Sequence, residues 1–158
     1  MGIEILEEQF QQYTKKYPEK LPELVSLAQQ MSDCQQQIRK ILDTVTPAVC
    51  ATCTTKCCTG MPCDGYFTAI DYFAYRMLYD TPEVFRVPSS QPLDCSFLSR
   101  AGCSLPEDMR PFACIKVNCL HLNQVLEARD GLPQFRKLCE ALDDIQTRIG
   151  DLIDEHEI

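Results

Sequence analysis

Apolar positions recur at three- and four-residue intervals near both ends of the chain and lose that rhythm in the middle. Ile3, Leu6, Phe10, Tyr13 and Tyr17 share one helical face, which Pro18 brings to an end. A second helix starts near Pro22, with proline in its first turn. Leu24, Leu27, Ala28, Met31, Ile38, Ile41, Leu42 and Val45 form its apolar face, and Thr46-Pro47 is the expected stop. The tract Gln35-Gln36-Gln37 reads as polar helix surface. Near the other end, Asp130-Gly131 closes a helix and Pro133 opens the last one. There Phe135, Leu138, Leu142, Ile145, Ile149 and Leu152 share a face.

Between these flanks one helical signal is sharp. Thr68-Ala-Ile-Asp71 has the spacing of a capping box, and Ile70, Phe73, Ala74, Met77 and Leu78 follow on one face before Thr81-Pro82. From there to Phe112 no period emerges and five prolines intervene. So long an irregular stretch needs an organiser other than a periodic core. A shorter helix follows Cys114, running to about Arg129. No strand pattern stands out. The expectation is one mainly α domain over 1–158. Its helical flanks, 1–46 and 133–158, pack around a loop-dominated, cysteine-rich centre at about 50–119.

Composition sharpens this picture at one point. With 45% hydrophobic and 24% charged residues, the chain can bury a core without covalent staples. Yet it has 11 cysteines, nine of them between Cys50 and Cys119. A disulfide framework suits an oxidising compartment and an even count. Here the count is odd, and Glu4, Glu7 and Glu8 stand where a secretory leader needs basic residues. Packing alone does not explain clustering in polar, Gly- and Pro-containing segments. Metal ligation in a cytoplasmic protein accounts for both. No apolar run is long enough to span a bilayer. The net charge of −8 disfavours nucleic acid as a partner.

The cysteines fall in two blocks. The first is Cys50-Ala-Thr-Cys53-Thr-Thr-Lys-Cys57-Cys58. A C-x-x-C pair turns two thiolates toward one metal, either tetrahedral zinc or an iron–sulfur corner. Adjacent side chains in an extended segment point to opposite faces, so Cys57 and Cys58 suit two metals, two corners of a larger cluster, or a ligand beside a packing residue, which favours iron–sulfur over a single zinc ion. The second block comprises Cys95-Ser-Phe-Leu, Gly102-Cys103, and Arg110-Pro-Phe-Ala-Cys114-Ile-Lys-Val-Asn-Cys119. Joining two distant blocks makes metal binding part of folding, worth on the order of 10 kcal/mol in small zinc domains. Arg110 and Lys116 are candidates to offset thiolate charge and donate to sulfur. An ordinary surface ion pair is the competing role for Arg110.

Together these residues resemble the YkgJ-like cysteine-cluster family, a zinc- or iron-chelating domain. The resemblance covers about Cys50 to Cys119. It implies that Cys50, Cys53, Cys57, Cys58, Cys95, Cys103, Cys114 and Cys119 are the metal ligands. Some bacterial flagellin lysine methylases carry a similar cluster, so the resemblance is compatible with a protein-modifying role. The chain departs from the pattern at Ser104-Leu105-Pro106, where an aromatic residue is common.

Other candidates have plainer readings. Cys34 and Cys139 sit on helical faces and read as packing residues. Cys63 is open between ligand, redox-active thiol and turn residue. His121 reads as a polar helix residue more readily than as a ligand. Tyr66, Phe67, Tyr72, Phe73, Tyr75 and Tyr79 read as core ahead of a dry shell around a cluster. The acids Asp143, Asp144, Asp151, Asp154 and Glu155 read as a solvated helix face. No G-x-S-x-G, P-loop or G-x-G-x-x-G motif is present, and no acid–base pair can be named. The leading expectation is an iron–sulfur protein, with a [4Fe-4S] cluster, that transfers electrons or senses redox state. The alternatives are a structural zinc module that binds a partner protein and a metal-dependent enzyme or accessory factor for protein modification.

Overall fold

The computed structural model describes residues 3–49, 67–80, 97–99, 102–103, 105–116 and 118–154. Helix α1 (Ile3–Lys16) leads through a 3-10 turn (Pro18–Lys20) into the long α2 (Leu21–Asp43). A short α3 (Thr46–Val49) and the capped α4 (Ala69–Leu78) follow. Strands β1 (Leu98–Ser99) and β2 (Gly102–Cys103) pair antiparallel, Leu98 opposite Cys103. Then come α5 (Phe112–Lys116), α6 (Leu120–Ala128) and the long α7 (Leu132–Asp154). The mainly α architecture matches the periodicity, and among the described residues the β pairing extends no further than these two-residue strands.

Helix α2 is the axis of the frame, packing along both α7 and α4. Leu24, Leu27, Met31 and Ile38 of α2 meet Leu142 and Ile149 of α7 and Phe73 of α4 in one buried cluster. Gly150 of α7 faces Ile70 of α4, whose Cδ1 lies 3.4 Å from where a Cβ would stand, an ordinary contact distance. Helix α1 closes over this core. Phe10 and Tyr13 pack edge-on against Phe73, at 5.3 and 5.4 Å between ring centroids. Tyr13 also donates to the Leu152 carbonyl at 3.1 Å. Beside these rings Arg76 Nε donates to Glu7 Oε2 at 3.0 Å, and the Tyr72 hydroxyl donates to the same oxygen. Burial pushes the Glu7 carboxyl up, but the Tyr72 and Gln11 hydrogen bonds and the Arg76 charge outweigh it and hold the group low. Of the aromatic run, Tyr72, Phe73 and Tyr75 are fully buried core and Phe67 and Tyr79 pack against it partly buried, while Tyr66 lies outside the described residues.

The boundaries follow local chemistry. Thr68 Oγ1 accepts from the Asp71 amide while the Asp71 carboxylate accepts from the Thr68 amide, completing the capping box ahead of α4. Helix α6 ends in a Schellman arrangement, with Gly131 N–H bonded to the Leu126 carbonyl at 2.9 Å and Asp130 in the left-handed region at φ 56°.

Two expected boundaries are corrected. Helix α2 ends at Asp43 rather than at Thr46-Pro47, which instead opens α3. A proline ring at position 47 clashes with a helical carbonyl four residues back, at Asp43, whereas in a first turn its missing N–H costs nothing. The helix after Cys114 is two helices, because Cys119 takes an extended conformation and caps α6. No described helix is long and apolar enough to cross a membrane.

Candidate metal centre

Of the eight expected ligands, Cys50, Cys53, Cys57, Cys58 and Cys95 lie outside the described residues, as does Cys63. Cys103, at the end of β2, is half-buried, whereas Cys114 on α5 and Cys119 ahead of α6 are exposed. Among the described residues no three Cys, His, Asp or Glu side chains gather as a metal site. His121 is exposed in the first turn of α6.

The flanks of both cysteine blocks are nevertheless anchored on the frame. The chain enters the first block through Val49, buried at the end of α3, which packs on α6. It leaves through Phe67, whose ring lies 5.3 Å from that of Phe97, two residues past Cys95. Phe97 is buried and Phe67 also meets Tyr72 of α4. One aromatic contact therefore joins the exit of the first block to the start of the second.

The second block is seated by polar contacts. Gln35, 1% exposed on α2, grips the backbone of Arg110 from both sides. Its Oε1 accepts from Arg110 N at 2.8 Å and its Nε2 donates to Arg110 O at 3.1 Å. Three residues earlier on α2, buried Ser32 donates to Asp108 Oδ2 at 2.6 Å, and the Tyr79 hydroxyl donates to Asp108 Oδ1 at 2.8 Å. Burial, then the bond to Asp108, raises the Tyr79 phenol to about 12, so it stays a donor at neutral pH. Arg39 adds a bond to Glu107 at 3.1 Å, on a surface where such pairs contribute little. The polar-surface reading of the Gln tract therefore fails at Gln35. It sits four residues after Met31 and three before Ile38, squarely on the buried face.

From this seat the chain turns into α5. The Pro111 carbonyl accepts from Cys114 N at 2.9 Å. Arg110 and Cys114, four residues apart, come to line one cleft with Gln35, Ile38, Leu42 and Thr46 of the first block's approach. The cleft holds about 200 Å³, small beside the 300 Å³ or more usual for a substrate-sized ligand. Arg110 Nε is buried and has no hydrogen-bond partner among the described residues. The surface ion pair considered for Arg110 does not form among the described residues. Lys116, in contrast, pairs with Asp143 of α7, so Asp143 belongs to a helix–helix contact rather than to a purely solvated face. At the far end of the block, Cys119 Sγ accepts from the Leu122 amide at 3.4 Å. Backbone amides aimed at sulfur are one means by which proteins tune metal thiolates.

Cys34 and Cys139 play a different part. Both are buried between α2 and α7, and Cys34 Sγ donates to the Leu138 carbonyl at 3.2 Å. Burial raises both thiols, Cys139 to about 11. A protonated thiol is neither nucleophile nor metal ligand, which agrees with packing.

Comparison with protein-family models, with curated proteins and with solved structures finds no match for this chain.

Proposed function

We propose that this chain is a cytoplasmic metal-binding protein of the YkgJ-like type. In this reading it carries a [4Fe-4S] cluster on the cysteines between Cys50 and Cys119 and transfers electrons or senses redox state for a partner protein. The observation that carries the reading is the concentration of nine of 11 cysteines in that interval, in segments whose helical flanks are anchored on one frame. The described donors suit such a group. Cys114 and Cys119 are exposed thiols, one lining a cleft with Arg110 and the other already receiving a backbone amide. A bound cluster supplies one-electron chemistry. The protein's part is to hold thiolates, to hydrogen-bond sulfur and to limit water. The doublet Cys57-Cys58 favours a cluster over one zinc ion.

The test is anaerobic purification followed by an absorption spectrum and elemental analysis for iron, zinc and acid-labile sulfide. A broad violet band with about four iron and four sulfide per cluster is the expected result. A colourless protein with stoichiometric zinc and no sulfide would replace the redox role with a structural zinc module.

A further inference from the structure

Arg76, in the last turn of α4, holds two parts of the molecule at once. On one side its Nη1 donates to the carbonyls of Tyr79, at 3.0 Å, and of Asp80, where the chain leaves the helix. On the other side it faces α1, with Nε donating to Glu7 Oε2 at 3.0 Å and Nη2 to Glu7 Oε1 at 3.4 Å. A guanidinium is a flat, rigid fork, so its two sides do not move independently. The pair is shielded from water, the Arg76 side chain being 13% and that of Glu7 21% exposed. Phe10 of α1 lies against the cation, 5.1 Å from its ring centroid. Tyr79, gripped by its carbonyl, carries at its far end the hydroxyl that donates to Asp108, 2.8 and 3.1 Å from the two carboxylate oxygens. Its ring stacks on that of buried Tyr75 at 5.0 Å. A continuous chain of bonds therefore runs from Glu7 of α1 to the segment that begins at Leu105.

We propose that α1 is a strap whose docking on α4 tightens the seat of the segment from Leu105 to Cys114, with Arg76 and Tyr79 as the positioning residues that carry the effect. With Glu7 in place, the guanidinium pins the Tyr79 backbone and so aims the Tyr79 hydroxyl at Asp108. With α1 lifted, the fork loses its carboxylate and turns to water, and the chain after Leu78 swings more freely. One of the two described donors to Asp108 then weakens, Ser32 being the other. Linkage makes the effect reciprocal: the free energy that α1 contributes to the segment is the free energy that the segment contributes to α1. An event that lifts α1 thus reaches the segment bearing Cys114 without touching it. The inference concerns the frame's hold on the chain and does not rest on a bound metal.

The experiment is amide hydrogen exchange of the full chain as wild type, Glu7→Ala, Tyr79→Phe and the double variant. Tyr79→Phe keeps the ring on Tyr75 and the carbonyl on Arg76, and removes only the bond to Asp108. Glu7→Ala is expected to speed exchange at the Met109 and Arg110 amides by about 2- to 10-fold, while α2 and α7 keep their protection. Tyr79→Phe is expected to do the same and, by reciprocity, to speed exchange in α1. In the double variant the rate at Arg110 should match that of Tyr79→Phe alone, because the path is already cut. Exchange at Arg110 that ignores Glu7→Ala overturns the proposal, as do effects of the two substitutions that simply add there. If Glu7→Ala loosens α2 and α7 as well, Tyr79→Phe still decides, since an α1 indifferent to it means that no coupling runs through Tyr79.

Discussion

The α2–α4–α7 frame and the segment from Leu105 to Cys119 are held by different forces. The frame buries a continuous apolar cluster, in which Leu24, Leu27, Met31, Ile38, Leu142 and Ile149 are fully enclosed. Among its described residues the segment brings the apolar anchors Leu105, Met109 and Ile115 and takes its position from Ser32, Gln35 and Tyr79. Apolar burial is non-directional and tolerant of substitution, whereas a buried polar clamp is directional and fails when one partner is lost. The molecule thus uses a tolerant core for stability and a few directed bonds to seat the segment that carries Cys114.

The comparison breaks most strongly at Leu142, wholly buried on α7. Leu142→Ala is expected to cost about 2–5 kcal/mol. Urea denaturation followed by helical circular dichroism should show the loss equally with and without metal. A loss confined to the metal-loaded protein would mean that the frame does not stand on its own core.

Gln35→Ala should separate the two regions. It leaves Arg110 N and O without their partners, at about 2–3 kcal/mol if both stay buried. The segment has the cheaper option of lifting from α2. Hydrogen exchange should then accelerate at Met109 to Cys114 while α2 and α7 keep their protection. Uniform acceleration across both helices would show that the clamp holds the core and not the segment.

How much of this was legible in the chain follows from the same division. Repeats of three and four residues announced α1, α2, α4 and α7, because burying a helical face imposes that period. The capping box is legible to the residue, since its two bonds fix the spacing. Gln35 is legible by its position and not by its chemistry. Flanked by Gln36 and Gln37 it looks like surface, yet the period of Met31 and Ile38 places it inside. Ser32, four residues after Ala28, was hidden in the same way. The pairing of Lys116 with Asp143 joins residues 27 apart and leaves no local pattern. The break at Cys119 was hidden because both sides are helical. The expected ligands Cys50, Cys53, Cys57, Cys58 and Cys95 remain sequence-based expectations.

A smaller effect sharpens the view of the frame. Asp71 is 2% exposed, and burial raises its carboxyl to about 6 although hydrogen bonds from Thr68 and Gln146 oppose the shift. The folded state therefore holds a proton more tightly than the unfolded chain, whose Asp titrates near 3.8. Stability contributed by this group is present below about pH 4 and is lost as pH rises through about 6, by on the order of 2 kcal/mol. Asp71→Asn keeps an acceptor for Thr68 and removes the charge. The difference in thermal midpoint between variant and wild type should grow from pH 4 to pH 7 in favour of the variant. A constant difference would show that Asp71 ionises as it does in the unfolded chain.

The smallest expected effect separates two kinds of cysteine. Cys34 and Cys139 belong to the frame, buried and protonated, whereas Cys114 and Cys119 sit exposed on the segment. Cys139→Ala removes little volume and is expected to cost about 1 kcal/mol while leaving the metal content unchanged. Cys114→Ser and Cys119→Ser should leave the frame's stability nearly intact and lower the metal content. Pulsed alkylation of the metal-free native chain, read by mass spectrometry, tests the same division without mutation. Cys114 and Cys119 should label first, and Cys34 and Cys139 only when α2 and α7 separate. Labelling of Cys139 as fast as Cys119 would mean that the helix pair opens readily, and the contrast between a closed frame and an accessible cysteine segment would collapse.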